Sequence, residues 1–496
     1  MPKRSYAFFL AFPSRATEHG ALRDRIHQAC LAAIVEGRLA PGARIPSARQ
    51  LAVDWGVARN TVDDALSELH AAGLLVRRVG VGSFVAQGVG ARGRPSPRRR
   101  APAVLGQRAL RAVSARGALA AEAYALRSIP RAEPFVAGLP ALDAFPLELW
   151  RRLVARRLRA SGRALLDYMP ASGYPPLQQS IADHLAASRG IDCAPEQVMI
   201  VNSSMQAIDL AARALLERSD CAWVEDPCYP NLRATLAMAG VRAVPVPIDA
   251  QGIDVERAAR RAAMPALICL TPSCQYPTGA ICSLERRLAV LRVAAEAGAW
   301  IVEDDHQHEF TWSGRPQAPV FALDRDARTL YVGTFSHTMF PSLRLAYVVL
   351  PASLVDVFHA LRRQLDDHTH GSMQAVLADF IAGGHFSAHV RRMRALYAAR
   401  RDALASACAR DLPACALGAL GCGMNATLAL AAPIRDAAAA SDAARAGIRV
   451  LPLSRYAVRA PINGWLLGYA ALPERRIAAG VARLASVLRK ARGAKS

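Results

Sequence analysis

The chain has 496 residues, with 62 Lys and Arg against 40 Asp and Glu and a formal net charge of +22. That length exceeds one ordinary core, so two or more domains are expected. Hydrophobic residues make up 52% and aromatic residues 6%, which excludes a fibrous or disordered chain and suits an Ala-rich α/β protein, while the excess of positive charge favours a polyanionic partner, nucleic acid first.

Residues 1–20 read as an N-terminal arm. The apolar run Tyr6–Phe12 is brief and lacks a small-residue cleavage site, so export is not expected. No stretch reaches membrane-spanning length without charges. Residues 22–37 carry Leu22, Ile26, Cys30, Ala33 and Ile34 on one helical stripe. A short helix follows with Ser47 as N-cap and Leu51 and Ala52 facing inward, and Gly56 supplies a turn. A third helix over 58–72 turns Val62, Leu66 and Leu69 to the core and is closed by Gly73. Two short strands, 74–78 and 83–86, flank Val79–Gly82 as a β-wing. Residues 21–86 therefore form an α+β winged helix-turn-helix.

Residues 87–131 change character. The run Arg-Gly-Arg-Pro-Ser-Pro-Arg-Arg-Arg at 92–100 and the near absence of acids mark a basic linker, helical in part over 107–127. From 132 to 496 helical patterns alternate with short apolar runs at 222–224, 266–270, 300–302 and 330–332, which implies a mostly parallel sheet flanked by helices. The ten cysteines show no paired C-x-x-C and no zinc spacing, so they are read as reduced thiols.

Recognition of DNA needs a helix whose outer face reaches base edges while its inner face stays apolar. The third helix offers Arg59, Asn60 and Thr61 at its start. Arg suits guanine, Asn suits adenine, and a helix N-terminus suits a phosphate. Arg44, Ser47 and Arg49 would face the DNA backbone, and Arg77, Arg78 and Gly82 frame the wing. The stretch "PGARIPSARQLAVDWGVARNTVDDALSELHAAGLLVRRVGVGSFVA" resembles a GntR-type winged helix at nearly every position of that pattern.

The body, through "DYMPASGYPPLQQSIADHL", "VEDPCYPNLR", "TPSCQYPTG", "VEDDHQHEF", "GTFSHTMFPSLRLAYVVLP" and "LPLSRY", resembles the fold-type-I aminotransferase-like part of MocR/GabR family regulators. The resemblance implies an α/β body with a small C-terminal subdomain. It places Tyr229 on the ring of pyridoxal 5′-phosphate (PLP) and Asp304 at its pyridine nitrogen. Ser204, Thr334, Ser336 and Arg344 fall around its phosphate, and Tyr168 reaches the phosphate across a head-to-tail homodimer.

Four positions depart from the family pattern. His337 stands where the Schiff-base lysine is expected, and an imidazole holds PLP by no covalent bond. His306 replaces the tyrosine of the phenolic oxygen, Ser203 replaces a phosphate-side glycine, and Cys274 replaces a histidine. The spacing of His306, His308 and His337 is not a metal-ligand signature.

The leading expectation is a cytoplasmic, DNA-binding transcriptional regulator that uses its body for dimerisation and for sensing a small molecule. PLP, where bound, would be noncovalent. The alternatives are an enzyme that uses pyridoxamine phosphate with His337 as base, and a regulator whose body is purely structural. Arg455 and Arg459 are candidates for holding a substrate carboxylate.

Overall fold

Apolar side chains three and four residues apart give each helix of the N-terminal unit one face to bury. The computed structural model describes residues 22–78, 80–87, 113–125, 134–160, 162–165, 167–312, 317–459 and 462–493. It divides into two compact units, Met1–Arg108 and Ala109–Ser496. The proposed arm at 1–20 and most of the basic linker lie outside the described residues.

In the first unit α1 (Leu22–Val35) buries Ile26, Cys30, Ala33 and Ile34. α2 (Ala48–Trp55) buries Leu51 and Ala52, and α3 (Arg59–Ala71) buries Val62, Ala65, Leu66 and Leu69. The Ser47 hydroxyl accepts from the Gln50 amide at 3.2 Å and so satisfies a first-turn donor of α2. Gly56, at φ 65°, closes that helix in the left-handed region and turns the chain toward α3. Strands β2 (Leu75–Arg78) and β3 (Gly82–Val85) make the wing. A further strand, β1 (Arg44–Ile45), pairs with β3 on its other side, giving the order β1-β3-β2. Two residues are too few for alternation to reveal β1 in the sequence.

The second unit opens with α4 (Ala115–Ala125), the described part of the linker, which packs on the later helix Pro230–Ala239. Its large sheet has eight strands: β4 (Val198–Val201), β5 (Cys221–Asp226), β6 (Arg242–Asp249), β7 (Gly252–Ile253), β8 (Leu267–Leu270), β9 (Trp300–Asp304), β10 (Thr329–Thr334) and β11 (Ala346–Val349). They lie in the order β4-β11-β10-β9-β8-β5-β6-β7. The pairs from β10 through β9, β8 and β5 to β6 are parallel, whereas β11 runs antiparallel to both β4 and β10. Every residue of β4, β5 and β8 is buried: β5 and β8 are central strands covered on both faces, and β4, at the edge of the sheet, is covered by the helices Pro175–Arg189 and Ser204–Leu215. The covering helices are α5 (Leu147–Ala160), α6 (Pro175–Arg189), α7 (Ser204–Leu215), α8 (Pro230–Ala239), α9 (Leu284–Ala297), α10 (Val355–Leu365) and α11 (Gly371–Ala382).

The long helix α12 (His385–Asp411) leads to a smaller antiparallel sheet of β12 (Asn425–Ala429), β13 (Leu451–Pro452) and β14 (Gly464–Gly468), in the order β12-β14-β13. α13 (Asp436–Arg445) and α14 (Glu474–Gly493) pack with it around Phe135, Tyr397, Trp465 and Tyr469. The Trp465 indole N–H donates to the Asp436 carbonyl at 3.0 Å, so this large side chain buries its only polar atom with a partner.

The cysteines correct the sequence reading. Cys274 and Cys422 form a disulfide with Cα atoms 5.8 Å apart, across 148 residues of chain. The turn after β8 and the segment before β12 meet only in the folded molecule, which spacing along the sequence does not show. The other eight cysteines lie outside this disulfide.

Candidate functional site

At the start of α3 Arg59 and Asn60 are exposed, Thr61 is half-buried, and Val62 turns into the core. Ala58 gives this helix no side-chain cap, which leaves first-turn amides for a phosphate. Arg44, Ser47 and Arg49 lie nearby in sequence; Arg44 and Arg49 are exposed and Ser47 caps α2. A Cβ at Gly82, where φ is +131°, would stand 3.1 Å from the Arg44 guanidinium, so glycine lets the wing close over that side chain. The two wing arginines differ. Arg77 donates from Nη2 to the Asp63 carboxylate at 3.1 Å and the Ser67 hydroxyl at 3.0 Å, so it is engaged by α3. Arg78 lies over the Phe84 ring at 5.1 Å.

In the body the sheet register gathers the second site. Because β4, β5, β8, β9 and β10 run the same way, their C-terminal ends share one edge, where ligands of open α/β sheets bind. Val332 pairs with Asp304, Thr334 with Ala346, and Ala346 with Val201. The Phe335 amide bonds to the Leu345 carbonyl, so Arg344 lies across the turn from Ser336. Ser203 and Ser204 follow β4 on the same edge. The Ser336 amide donates to the Thr334 hydroxyl at 3.2 Å. Arg344 is left-handed at φ 52°.

Asp304 carries the clearest demand for a partner. Its Oδ1 is buried without a hydrogen bond. Burial raises its pKa, and Asp305 adds to the rise, while His306 and Ser204 act in the opposite sense. Tyr229 is half-exposed with its ring 5.8 Å from Tyr276, and its hydroxyl accepts from Asn231 at 2.9 Å. Ser203 caps α7, its Oγ accepting from the Gln206 amide at 3.2 Å. One of the amides that a phosphate would use at this helix start is therefore already engaged.

His337 projects from the turn after β10. Its Nδ1 lies 3.2 Å from the Gly138 carbonyl oxygen, and its ring centre is 5.7 Å from that of His306. Burial pushes its pKa down to about 3, with His306 adding to the fall and the Gly138 contact opposing it. His306 in turn edges Tyr276 at 6.0 Å, and the Tyr276 and Tyr456 hydroxyls are 3.4 Å apart. His308 points elsewhere, toward Asp305 and Glu309. Among the described residues no group of three or more His, Cys, Asp or Glu could hold a metal ion, and no helix is long and apolar enough to cross a membrane.

Tyr168, which the family resemblance expects at a phosphate across a dimer, is 85% exposed in the single chain, with its ring 6.2 Å from His368. Arg455 is half-buried and Arg459 exposed, the latter's amide donating to Asp226 at 2.9 Å. Sequence reasoning missed Gly138 and Asn425. The Gly138 amide donates to Asn425 Oδ1 at 2.9 Å, which ties the segment leading into the body to β12 and fixes the carbonyl facing His337. Neither residue lies in a recognisable motif. Tyr276 did lie in one, "TPSCQYPTG", as the only aromatic residue there.

The family described as aminotransferase class I and II matches residues 139–461, and bacterial regulatory proteins of the gntR family match residues 22–85. Among known proteins, the chain is 36% identical over 467 residues to the "Probable rhizopine catabolism regulatory protein MocR" of Rhizobium meliloti, covering 94% of this chain and 93% of that protein. It is 35% identical over 408 residues to the HTH-type transcriptional regulator TauR of Rhodobacter capsulatus, covering 81% of each. Among solved structures it is similar to LysN, an α-aminoadipate aminotransferase from Thermus thermophilus, with a TM-score of 0.67, 28% identity, and coverage of 73% of this chain and 93% of that one.

Proposed function

This chain belongs to the MocR-type regulators, in which a gntR-family head precedes an aminotransferase class I and II body, and on that premise we propose that it is a cytoplasmic, DNA-binding transcriptional regulator whose body senses a ligand without transaminase turnover. The observation that carries this reading is His337. At the position where the family resemblance expects a lysine, the side chain is an imidazole bonded to Gly138 and kept neutral by burial. It offers no primary amine for a covalent tether.

The rest of the pocket fits a B6 vitamer held noncovalently. The orphaned Oδ1 of Asp304 matches a protonated ring nitrogen. Thr334, Ser336, Ser204 and Arg344 would hold the phosphate, and Tyr229 would lie against the ring. PLP, when bound, supplies an aldehyde on an electron-withdrawing ring. The chain's own groups orient and hold that ring, and Ser203 competes for one amide donor. Pairing of two bodies head-to-tail would bring two heads to two half-sites of one operator.

Arg59, Asn60 and Thr61 are the base-reading candidates on double-stranded DNA, with Arg44, Ser47 and Arg49 on its backbone. Footprinting of the full chain on its own upstream DNA, with and without PLP, tests the reading. A protected site is expected, and absence of any protection in both conditions would overturn it. An enzymatic role for His337 as general base is disfavoured by its pKa of about 3, far from an operating pH near neutrality.

A further inference from the structure

A second cavity, of about 170 Å³, opens between α6, the turn after β9 and the start of α12. It is well above the ~10–15 Å³ that one water needs. Its walls carry His184, Arg189, His308, Glu309, Arg391 and Arg394. Arg189 is already matched from outside the lining: it and Asp305, both buried, form an ion pair at 2.6 Å. Burial opposes the charge on Arg189, yet Asp305, Tyr331 and Glu303 more than restore it.

The remaining charges do not balance. Glu309 is the one carboxylate of the wall, and burial raises its pKa and so weakens its negative charge, although His308 opposes that rise. Against it stand Arg391 and Arg394, both exposed at the mouth. Arg394 donates from Nε to the Glu309 main-chain carbonyl, and neither arginine has an ion-pair partner among the described residues.

His308 gives the independent sign of a ligand. Its Nδ1 is directed at Asp305 and Glu309, 3.5 Å and 3.6 Å from their carboxylate oxygens. Nε2, on the far corner of the ring, is buried without a hydrogen bond on a side chain only 7% exposed. That nitrogen has no hydrogen-bond partner within the fold, so only an incoming group can supply one. His184 nearby has its pKa pushed down to about 4, chiefly by burial.

We propose that this cavity is a binding site for a small dianion, a dicarboxylate or a phosphate ester, whose oxygens are held by the guanidinium groups of Arg391 and Arg394 and by Nε2 of His308. Such a ligand would bridge α6 of the large sheet layer and α12, the helix leading to the small subdomain. It is separate from the strand-end pocket and does not depend on a B6 vitamer binding there.

Calorimetric titration of the full chain with succinate and with inorganic phosphate, at constant ionic strength in chloride, tests this. Saturable binding of at least one probe is expected. It should weaken tenfold or more in Arg391→Ala, Arg394→Ala and His308→Ala. Arg391→Ala alters an exposed side chain and guards against loss of fold, and with succinate as the probe Arg344→Ala should leave the binding unchanged. Binding lost in Arg344→Ala but kept in Arg391→Ala would place the anion at the cofactor phosphate position and overturn the proposal. No saturable binding by either probe would overturn it too. Preference for succinate or for phosphate separates a dicarboxylate from a phosphate ester.

Discussion

His337 Nδ1 and the Gly138 carbonyl oxygen, 3.2 Å apart, decide which nitrogen of the ring carries the proton. A carbonyl only accepts, so Nδ1 donates and Nε2 is left with its lone pair. Gly138 is held in place from its other side by Asn425 and sits at φ +75°, where a Cβ would come within 3.2 Å of the His337 ring. The imidazole is thus a built part of the pocket wall, and the carbonyl it meets is fixed by a contact across 287 residues of chain.

His337→Lys is expected to restore covalent retention of PLP. After incubation, borohydride treatment and extensive dialysis, the variant should carry a near-stoichiometric pyridoxyl mass adduct on residue 337, and the unaltered chain none. An adduct on the unaltered chain would refute the noncovalent reading. Failure of the lysine variant to take up PLP would show that the Ser203 cap has already dismantled the phosphate cradle.

On DNA, Arg59→Ala should cost about 1–3 kcal/mol on the cognate site and much less on scrambled duplex, because a bidentate base contact is lost. Arg49→Ala should weaken both duplexes alike and lower the salt dependence by roughly one counterion. Arg77→Ala should change the salt dependence less than Arg49→Ala, since Arg77 is already engaged by Asp63 and Ser67. Fluorescence anisotropy over a range of salt concentrations distinguishes the three.

What was legible in the sequence follows local physics. The helices of the head were readable because Ile26, Ile34, Val62 and Leu66 repeat at helical spacing and Ser47 and Gly56 mark ends. The parallel strands were readable as short apolar runs because both of their faces are covered. β1 was not, since its two residues pair only with a strand nearly 40 residues later. In the pocket, Tyr229, Asp304 and His337 were visible through their motifs. Gly138, Asn425 and the Cys274–Cys422 link were not, because each depends on the small subdomain folding back against a distant segment. The engagement of Arg77 was equally hidden, because its partners on α3 follow from tertiary packing.

Acid should weaken the fold through histidines that are buried in their neutral form. His389 is the best case: Nε2–H donates to the Thr338 carbonyl at 2.9 Å and Nδ1 faces the Arg392 guanidinium at 3.4 Å, and burial pushes its pKa down to about 4. The unfolded chain therefore binds the proton first as pH falls below about 6.5, so the stability from this group is complete above that value and declines toward pH 4. At pH 5 the loss is roughly 2 kcal/mol. Urea unfolding at several pH values should show this slope, and His389→Gln should flatten it. An unchanged slope in the variant would assign the acid sensitivity to other groups.

The Cys274–Cys422 link closes a loop of 148 residues between the turn after β8 and the entry to β12. A bridge over so long a loop restricts the unfolded chain, and its removal is expected to cost about 2–4 kcal/mol. Both cysteines are buried, and the peptide on one side contains Tyr276, which lines the strand-end pocket beside His306. Reduction should therefore lower the melting temperature and also alter PLP affinity if the vitamer lies between Tyr229 and Asp304. Non-reducing proteolysis and mass spectrometry of chain prepared under oxidising conditions should recover the two cysteine peptides joined. The Cys422→Ser variant should match the reduced chain in stability and lose any further response to reductant. Recovery of both thiols free under those conditions, or a melting temperature in Cys422→Ser equal to that of the oxidised chain, would remove the bridge as a stabilising element.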